Sequence, residues 1–214
     1  MFLTHKYALL FITRAMKVYS DFITKLEANG VTCNDSYGSL PPQQRSMSPE
    51  GYIFIAELLQ KKNFKNILEI GRASGFSFGL FSFFSPDSYI VSIDPYTENP
   101  ELESTAVKIA NAVGKNYKWI TGTSEDLKDC DTKFDLVFID GDHGSGWPQK
   151  DWKNIQKCLD SKATVIFDDI WCPDVKDTFD SIDVGTKHYY EDWYYDIDHE
   201  KKIYTKFLAI VELS

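Results

Sequence analysis

Apolar residues between Ala8 and Leu26 recur at helical spacing: Ala8, Phe11, Ile12, Ala15, Val18, Tyr19, Phe22, Ile23 and Leu26. The spacing predicts an amphipathic helix that stops at Asn29-Gly30. Its apolar stripe has two candidate partners, the main domain or a second subunit of a homodimer. The polar segment from Val31 to Ser46 contains Pro41-Pro42 and reads as a loop able to reach over a ligand site. Ser48 as N-cap and Pro49 at the first helical position then start a helix that runs to about Lys62. This divides the chain into an extension, residues 1–46, and a main domain, residues 47–214.

Beyond that helix the pattern changes to short, nearly continuous apolar runs. They predict strands at Asn66–Ile70, Tyr89–Asp94, Lys118–Thr121, Phe134–Asp140, Ala163–Asp168 and Phe207–Leu213. Helical patterns lie between them, at Gly75–Phe84, Pro100–Val113, Trp147–Leu159 and Pro173–Ile182. The region from Val184 to Lys202 is rich in Tyr, Asp and His and reads as a strand near Thr186–Tyr190, then a turn around Asp196–Lys201. Alternation with short connections predicts an α/β fold, a mostly parallel sheet covered by helices on both faces. Apolar runs without polar alternation suit strands buried on both sides.

Ligands of such a sheet bind beyond the carboxyl ends of the strands. Five consecutive predicted strand ends carry polar groups: Glu69 and Gly71; Asp94; Gly122, Ser124 and Glu125; Asp140, Asp142 and His143; Asp168 and Asp169. The first end, Ile67 to Ser77, runs strand, glycine turn, helix start. Such a turn exposes backbone N–H groups at a helix N-terminus, and Gly71 and Gly75 let a nucleotide-like cofactor lie on the backbone. The spacing is Gly-x-x-x-Gly, without the second glycine of the dinucleotide fingerprint. Glu69 suits the amino group of an amino-acid-bearing cofactor better than a pyrophosphate. Asp94 can accept the hydroxyls of an adenosine ribose; its position fits NAD and S-adenosylmethionine alike, and the turn favours the latter.

Asp140, Asp168 and Asp169 would repel one another at adjacent strand ends unless a cation sat between them. A hard divalent cation, Mg²⁺ first, takes oxygen ligands and lowers the pKa of a hydroxyl. The alternative is that Asp168 and Asp169 cap the next helix. His143 is a candidate general base beside them, and Asp142 is a second candidate base, a further ligand, or the group that orients His143.

Composition narrows the partners. The chain of 214 residues is 43% hydrophobic and 15% aromatic and carries a formal net charge of −9. Without a basic patch, that charge disfavours nucleic acid and anionic membranes. No apolar run approaches the ~18 residues of a membrane span. Cys33, Cys130, Cys158 and Cys172 show no C-x-x-C spacing, which predicts neither a zinc site nor a disulfide framework. With no small-residue cleavage site after the apolar piece Tyr7–Ile12, the expected compartment is the reducing cytoplasm.

Four segments in order now carry a resemblance: Leu68-Glu69-Ile70-Gly71 through Gly75 and Ser77, then Ile93-Asp94, then Phe134 to His143, then Phe167-Asp168-Asp169-Ile170. Together they resemble class I S-adenosylmethionine-dependent methyltransferases, more narrowly the metal-dependent small-molecule O-methyltransferases of the catechol and caffeoyl-CoA type and the related sugar O-methyltransferases. The segment Met47 to Gly51 resembles the cofactor-contacting lead-in of the caffeoyl-CoA group. The resemblance implies a Rossmann-like fold with a mostly parallel seven-stranded sheet and an antiparallel last strand. It implies S-adenosylmethionine at Met47, Glu69, Gly71, Ser74, Gly75, Ser77, Asp94, Gly122, Ser124, Glu125 and Asp140. It also implies a divalent metal at Asp140, Asp168 and Asp169, and a small-molecule hydroxyl as acceptor. His143 stands where the catechol type has its catalytic lysine. The chain departs from the pattern at Arg72 inside the turn, at Asp160-Ser161-Lys162 before the fifth strand, and at Gly144–Pro148. Two readings from other classes stay open: an NAD-dependent oxidoreductase and a non-catalytic S-adenosylmethionine-binding module.

Overall fold

A seven-stranded sheet in the order β3-β2-β1-β4-β5-β7-β6 organises the molecule, a computed structural model that describes residues 17, 19–31, 49–95, 100–128, 130–196 and 201–214. Its strands are β1 (Asn66–Ile70), β2 (Tyr89–Asp94), β3 (Tyr117–Thr121), β4 (Phe134–Ile139), β5 (Leu159–Phe167), β6 (Thr186–Asp196) and β7 (Lys201–Glu212). The helices are α1 (residues 19–27), α2 (Pro49–Lys61), α3 (Phe76–Phe84), α4 (Pro100–Val113), α5 (Trp147–Ile155) and α6 (Pro173–Ser181). Strands β3, β2, β1, β4 and β5 run parallel, while β7 is antiparallel to both β5 and β6. This is the mostly parallel sheet with an antiparallel last strand that the sequence predicted. The loop after residue 31, Met47 and Ser48 lie outside the described residues.

Strand alternation divides the core in two. In β1, Ile67 joins Phe22, Tyr52, Ile55, Phe78, Phe81 and Phe138 on one face. Leu68 and Ile70 join Val91, Val137, Val165, Ile155, Phe167 and Phe179 on the other. Both faces are apolar, so the strands read as continuous hydrophobic runs rather than alternating ones. In α1, Phe22 and Leu26 are buried in the first of these clusters, and the Phe22 ring meets Phe76, Phe83 and Phe84. The described part of the first helix therefore packs on the sheet domain of its own chain.

Several boundaries move from their sequence-based positions, among them the start of β7, at Lys201 rather than Phe207. Helix α5 ends at Ile155, not Leu159, and β5 begins at Leu159 rather than Ala163. Leu159 pairs with Phe134 and Thr164 with Leu136, so Asp160-Ser161-Lys162, which have little strand propensity, lie in an irregularity of the ladder between the two pairs. Pairing of β6 with β7 continues from Thr186–Glu212 to Asp196–Lys201, whereas β5 pairs with β7 only over Thr164–Phe167. The β6–β7 ribbon therefore runs on past the carboxyl end of β5, and β6 is longer than the expected Thr186–Tyr190.

The cysteines overturn one expectation. Cys130 and Cys158 form a disulfide with a Cα–Cα distance of 4.9 Å. Cys130 precedes β4 and Cys158 immediately precedes β5, and pairing of Phe134 with Leu159 brings the two chain segments together. A search by spacing misses a bridge whose partners meet only through a sheet.

Candidate active site

The strand order reverses between β1 and β4, so the crevice at their carboxyl ends is the topological switch point where ligands of open α/β sheets bind. Gly71 ends β1 there with φ +90°, and a Cβ at this position would lie 1.8 Å from the Asp140 carbonyl oxygen. The Asp140 N–H donates to Ile70 O at 2.8 Å, and the Gly71 N–H to Ile93 O at 2.9 Å. Gly71 is therefore needed for the approach of the β4 end. Gly75, with φ +81°, would meet Ala106 of α4 at 2.9 Å if it carried a Cβ. Both glycines serve chain-to-chain packing, a role the sequence reading did not assign to them.

The turn is fixed from below by buried polar groups. Glu69 is fully buried on the α3 side of the sheet, with Oε1 accepting from Ser77 Oγ at 2.5 Å and Oε2 accepting from Ser92 Oγ. Burial pushes its carboxyl up to about 7, against the opposing pull of the two hydroxyls and of Arg72. Both carboxylate oxygens are thereby engaged by hydroxyls. Arg72 does not project into the turn. It is only 2% exposed; its Nη1 donates to Ser92 O at 2.6 Å and to Ser92 Oγ at 3.2 Å, and its guanidinium lies 4.3 Å from the centre of the Trp119 ring. Strand register explains the grouping: Glu69 pairs with Ser92, and Ser92 with Trp119.

Above this base the turn faces the edge. The Ala73 N–H donates to Asp94 Oδ2 at 2.8 Å, joining the tip of β2 to the turn. Gly75 caps α3 without any side-chain hydrogen bond, and Ser74 is buried beside it. The Gly122 N–H donates to Asp94 O at 3.1 Å, which holds the loop after β3 against the same strand tip. Ser124, expected near adenine, is buried: its Oγ donates to Asp151 Oδ1 at 2.6 Å and accepts from Asn154 Nδ2 at 3.0 Å. Glu125 beside it is exposed.

At the end of β4, His143 Nε2 lies 3.4 Å from Asp140 Oδ1 and 3.0 Å from Asp169 Oδ2. These three groups each place one ligand atom within 4.8 Å of the others. Loss of solvation raises the Asp140 carboxyl to about 6, with the Asp169 charge adding to the shift and His143 opposing it. The hydrogen bond to Asp140 raises the pKa of His143. Asp168, predicted as the third metal ligand, places no atom in this group, although the Asp140 and Asp169 charges both act on it. It is buried, its Oδ1 accepts the Asp169 N–H at 2.8 Å, and burial pushes its carboxyl well above the usual range. Asp169 has φ +48°, a left-handed conformation that aspartate tolerates better than most residues. Neither aspartate caps α6, whose N-cap is Cys172. Asp142 is exposed, and its Oδ1 accepts the Gly144 N–H at 2.9 Å. No hydrogen bond joins Asp142 to His143 among the described residues. Met47 lies outside them.

The sequence reading missed two residues of this region. Trp171, 64% exposed, donates its indole N–H to Asp169 Oδ1 at 2.7 Å. Asp151 is buried, and loss of solvation raises its carboxyl to about 6. The signal for Asp151 was present: it falls on the apolar side of α5 with Pro148 and Ile155, where a carboxylate needs a partner.

With this geometry in view, residues 68–170 match the model of a methyltransferase domain. The chain has a methyltransferase fold. No curated protein matches it in sequence. Its structure is similar to that of an O-methyltransferase from Bacillus cereus solved with SAH, at 16% identity and TM-score 0.62, covering 90% of each chain. It is also similar to TomG from Streptomyces achromogenes, an O-methyltransferase of tomaymycin synthesis solved with SAM, at 18% identity and TM-score 0.61 over 95% of this chain and 90% of that one. The SAH-bound methyltransferase PaMTH1 of Podospora anserina gives 15% identity and TM-score 0.62 over 100% of this chain and 98% of that one. At these identities the likeness is one of methyltransferase fold. No described helix is long and apolar enough to cross a membrane.

Proposed function

We propose that this protein transfers a methyl group from S-adenosylmethionine to a hydroxyl of a small molecule, assisted by a divalent cation. One observation carries the reading: the Ala73–Asp94 turn and the Asp140–His143–Asp169 cluster meet at one switch point of a methyltransferase sheet. Several similar structures hold SAM or SAH and are O-methyltransferases, which supports the cofactor and the oxygen acceptor.

The residues fit both groups. The α3 N-terminus has no side-chain cap, so its amides suit the cofactor's carboxylate, and Asp94 suits the ribose hydroxyls. Two carboxylates and an imidazole form a donor set for a divalent cation. S-adenosylmethionine would supply an electrophilic methyl carbon, and the cation would supply positive charge that lowers the pKa of the acceptor hydroxyl. Asp94 and the turn orient the cofactor, and Glu69, Ser77 and Arg72 hold the turn from beneath. His143 Nε2 faces Asp140 and Asp169 and is thereby committed to the cluster. Of the two expected bases, Asp142 is then the one assigned to the acceptor proton, because only its Oδ1 is engaged among the described residues. Positioning of two reactants in one crevice supplies much of the acceleration.

The test is calorimetric titration of the protein with S-adenosylmethionine and, separately, with NAD, followed by a screen of phenols, diols and sugars for S-adenosylhomocysteine release. Binding of S-adenosylmethionine that Asp94→Ala abolishes is expected. Binding of NAD instead, or of neither cofactor, overturns the proposal.

A further inference from the structure

We propose that the Cys130–Cys158 disulfide is a thiol-exchange site that regulates the cofactor crevice: its reduction loosens the connection between β3 and β4 and weakens S-adenosylmethionine binding. The regulation acts on the crevice described above and rests on the methyltransferase reading for its ligand.

The connection from β3 to β4 lies along α5 and is fastened to it at two points. At its start, Ser124 Oγ donates to Asp151 Oδ1 at 2.6 Å and accepts from Asn154 Nδ2 at 3.0 Å. Near its end, Cys130 is bonded to Cys158, the last residue of the short 3-10 turn Gln156–Cys158 that continues α5. Between the two points, Leu127 is buried in the core cluster that also holds Ile155 and Cys158. The first fastening is made of hydrogen bonds and stands at the crevice, where the Gly122 N–H donates to Asp94 O at 3.1 Å. The second is covalent and stands at the amino ends of β4 and β5.

The sheet reinforces the covalent point weakly. Leu159 pairs with Phe134, and the ladder is irregular from there to the pair of Thr164 with Leu136. The Lys133 ammonium, on an exposed residue, also donates to Lys157 O. A segment anchored at both ends has fewer conformations than one anchored at a single end. Once the bridge is reduced, the Ser124 hydrogen bonds carry most of the attachment and the connection opens more often. Gly122 and Ser124 share that connection, so each opening moves the wall of the crevice beside Asp94.

The two sulfurs are unequally accessible. Cys130 is half-buried and Cys158 fully buried. A thiolate of a dithiol reductant therefore attacks Cys130 Sγ. The Sγ–Sγ bond breaks, Cys158 leaves as a thiolate and takes up a proton, and the second thiol of the reductant displaces Cys130 from the mixed disulfide. Two protein thiols and one cyclic disulfide result. A bridge that only restricts the unfolded chain would raise overall stability and leave the crevice unchanged, and the two cases give different results.

The full chain is compared oxidised and after treatment with dithiothreitol, at a temperature where tryptophan fluorescence reports both forms folded. S-adenosylmethionine affinity is measured by calorimetry, and backbone opening by hydrogen–deuterium exchange. On reduction the Kd should rise at least about fivefold. Amides of residues 122–128 should exchange at least about tenfold faster, and reoxidation should restore both values. Cys130→Ala should behave as the reduced parent and ignore dithiothreitol, which assigns the effect to this bridge rather than to Cys33 or Cys172. Equal affinity in the two forms, unchanged exchange at 122–128 whatever happens to the melting temperature, or a Cys130→Ala variant that still responds to dithiothreitol overturns the proposal. If Cys130→Ala does not fold, the reduction and reoxidation of the parent decide. If S-adenosylmethionine binds neither form, the methyltransferase reading fails; faster exchange at 122–128 then still supports the coupling, and its absence overturns it.

Discussion

Replacing Glu69 by glutamine tests the buried base of the turn through its charge. Glu69 is fully buried, and burial raises its carboxyl from 4.5 in the unfolded chain to about 7 in the folded one. Between those values the folded state binds more protons than the unfolded state, so stability falls as pH rises. The contribution is most favourable below about pH 4.5 and is lost as pH rises through about 7. The gap corresponds to about 3 kcal/mol. The glutamine side chain cannot ionise, but its amide can still accept from Ser77 or Ser92. The expected outcome of Glu69→Gln is therefore a variant whose stability relative to the parent improves by about 2–3 kcal/mol between pH 5 and pH 8, the rest of the gap falling below pH 5. Asp140, Asp151 and Asp168 also have raised values, so the parent itself should weaken over this range; the difference between the two proteins isolates Glu69. Urea unfolding followed by tryptophan fluorescence at several pH values measures it. A parent–variant difference that stays constant with pH, or moves in the opposite sense, refutes the assignment of a buried, proton-holding carboxyl at this position.

Three further outcomes follow from the geometry. Gly71→Ala forces a Cβ to within 1.8 Å of the Asp140 carbonyl at a positive φ, so thermal melting should report a loss of about 2–5 kcal/mol; a change under about 0.5 kcal/mol contradicts the close approach. Ser124→Ala removes the donor to Asp151 and the acceptor for Asn154, and should cost about 1–3 kcal/mol in urea unfolding. The cost should be larger at pH 8 than at pH 5, because the ionised carboxylate has the greater need of that donor. Thiol titration of the denatured chain with and without prior reduction should differ by two groups, those of Cys130 and Cys158; equal counts would show the bridge to be absent.

The part of the fold carried by local pattern was legible in the sequence. Apolar runs such as Phe134–Ile139 are buried on both sides, so their composition announces a parallel sheet, and Pro and Gly mark where helices begin. The same pattern placed Asp94, Asp140 and Asp169 at one edge, because residues that end parallel strands share that edge whatever the strand order. Asp151 was also legible in principle, as a carboxylate on an apolar helix face. What the sequence could not state is the direction in which each side chain turns. Glu69 read as a group facing a ligand and Arg72 as a departure inside the turn, but the registers of β1 with β2 and of β2 with β3 place Glu69 beside Ser92 and Ser92 beside Trp119, the two residues that Arg72 also meets. Asp168 and Asp169 are adjacent in the chain and looked equivalent, yet a left-handed turn at Asp169 sends only the second into the cluster. His143 joins that cluster through the loop after β4, and Cys130 meets Cys158 through the pairing of β4 with β5. Residue type and spacing fix which elements form and which edge collects the polar groups, since those depend on neighbours a few positions away. Which polar groups touch depends on register and backbone angle across strands distant in sequence, and only the tertiary structure decides that.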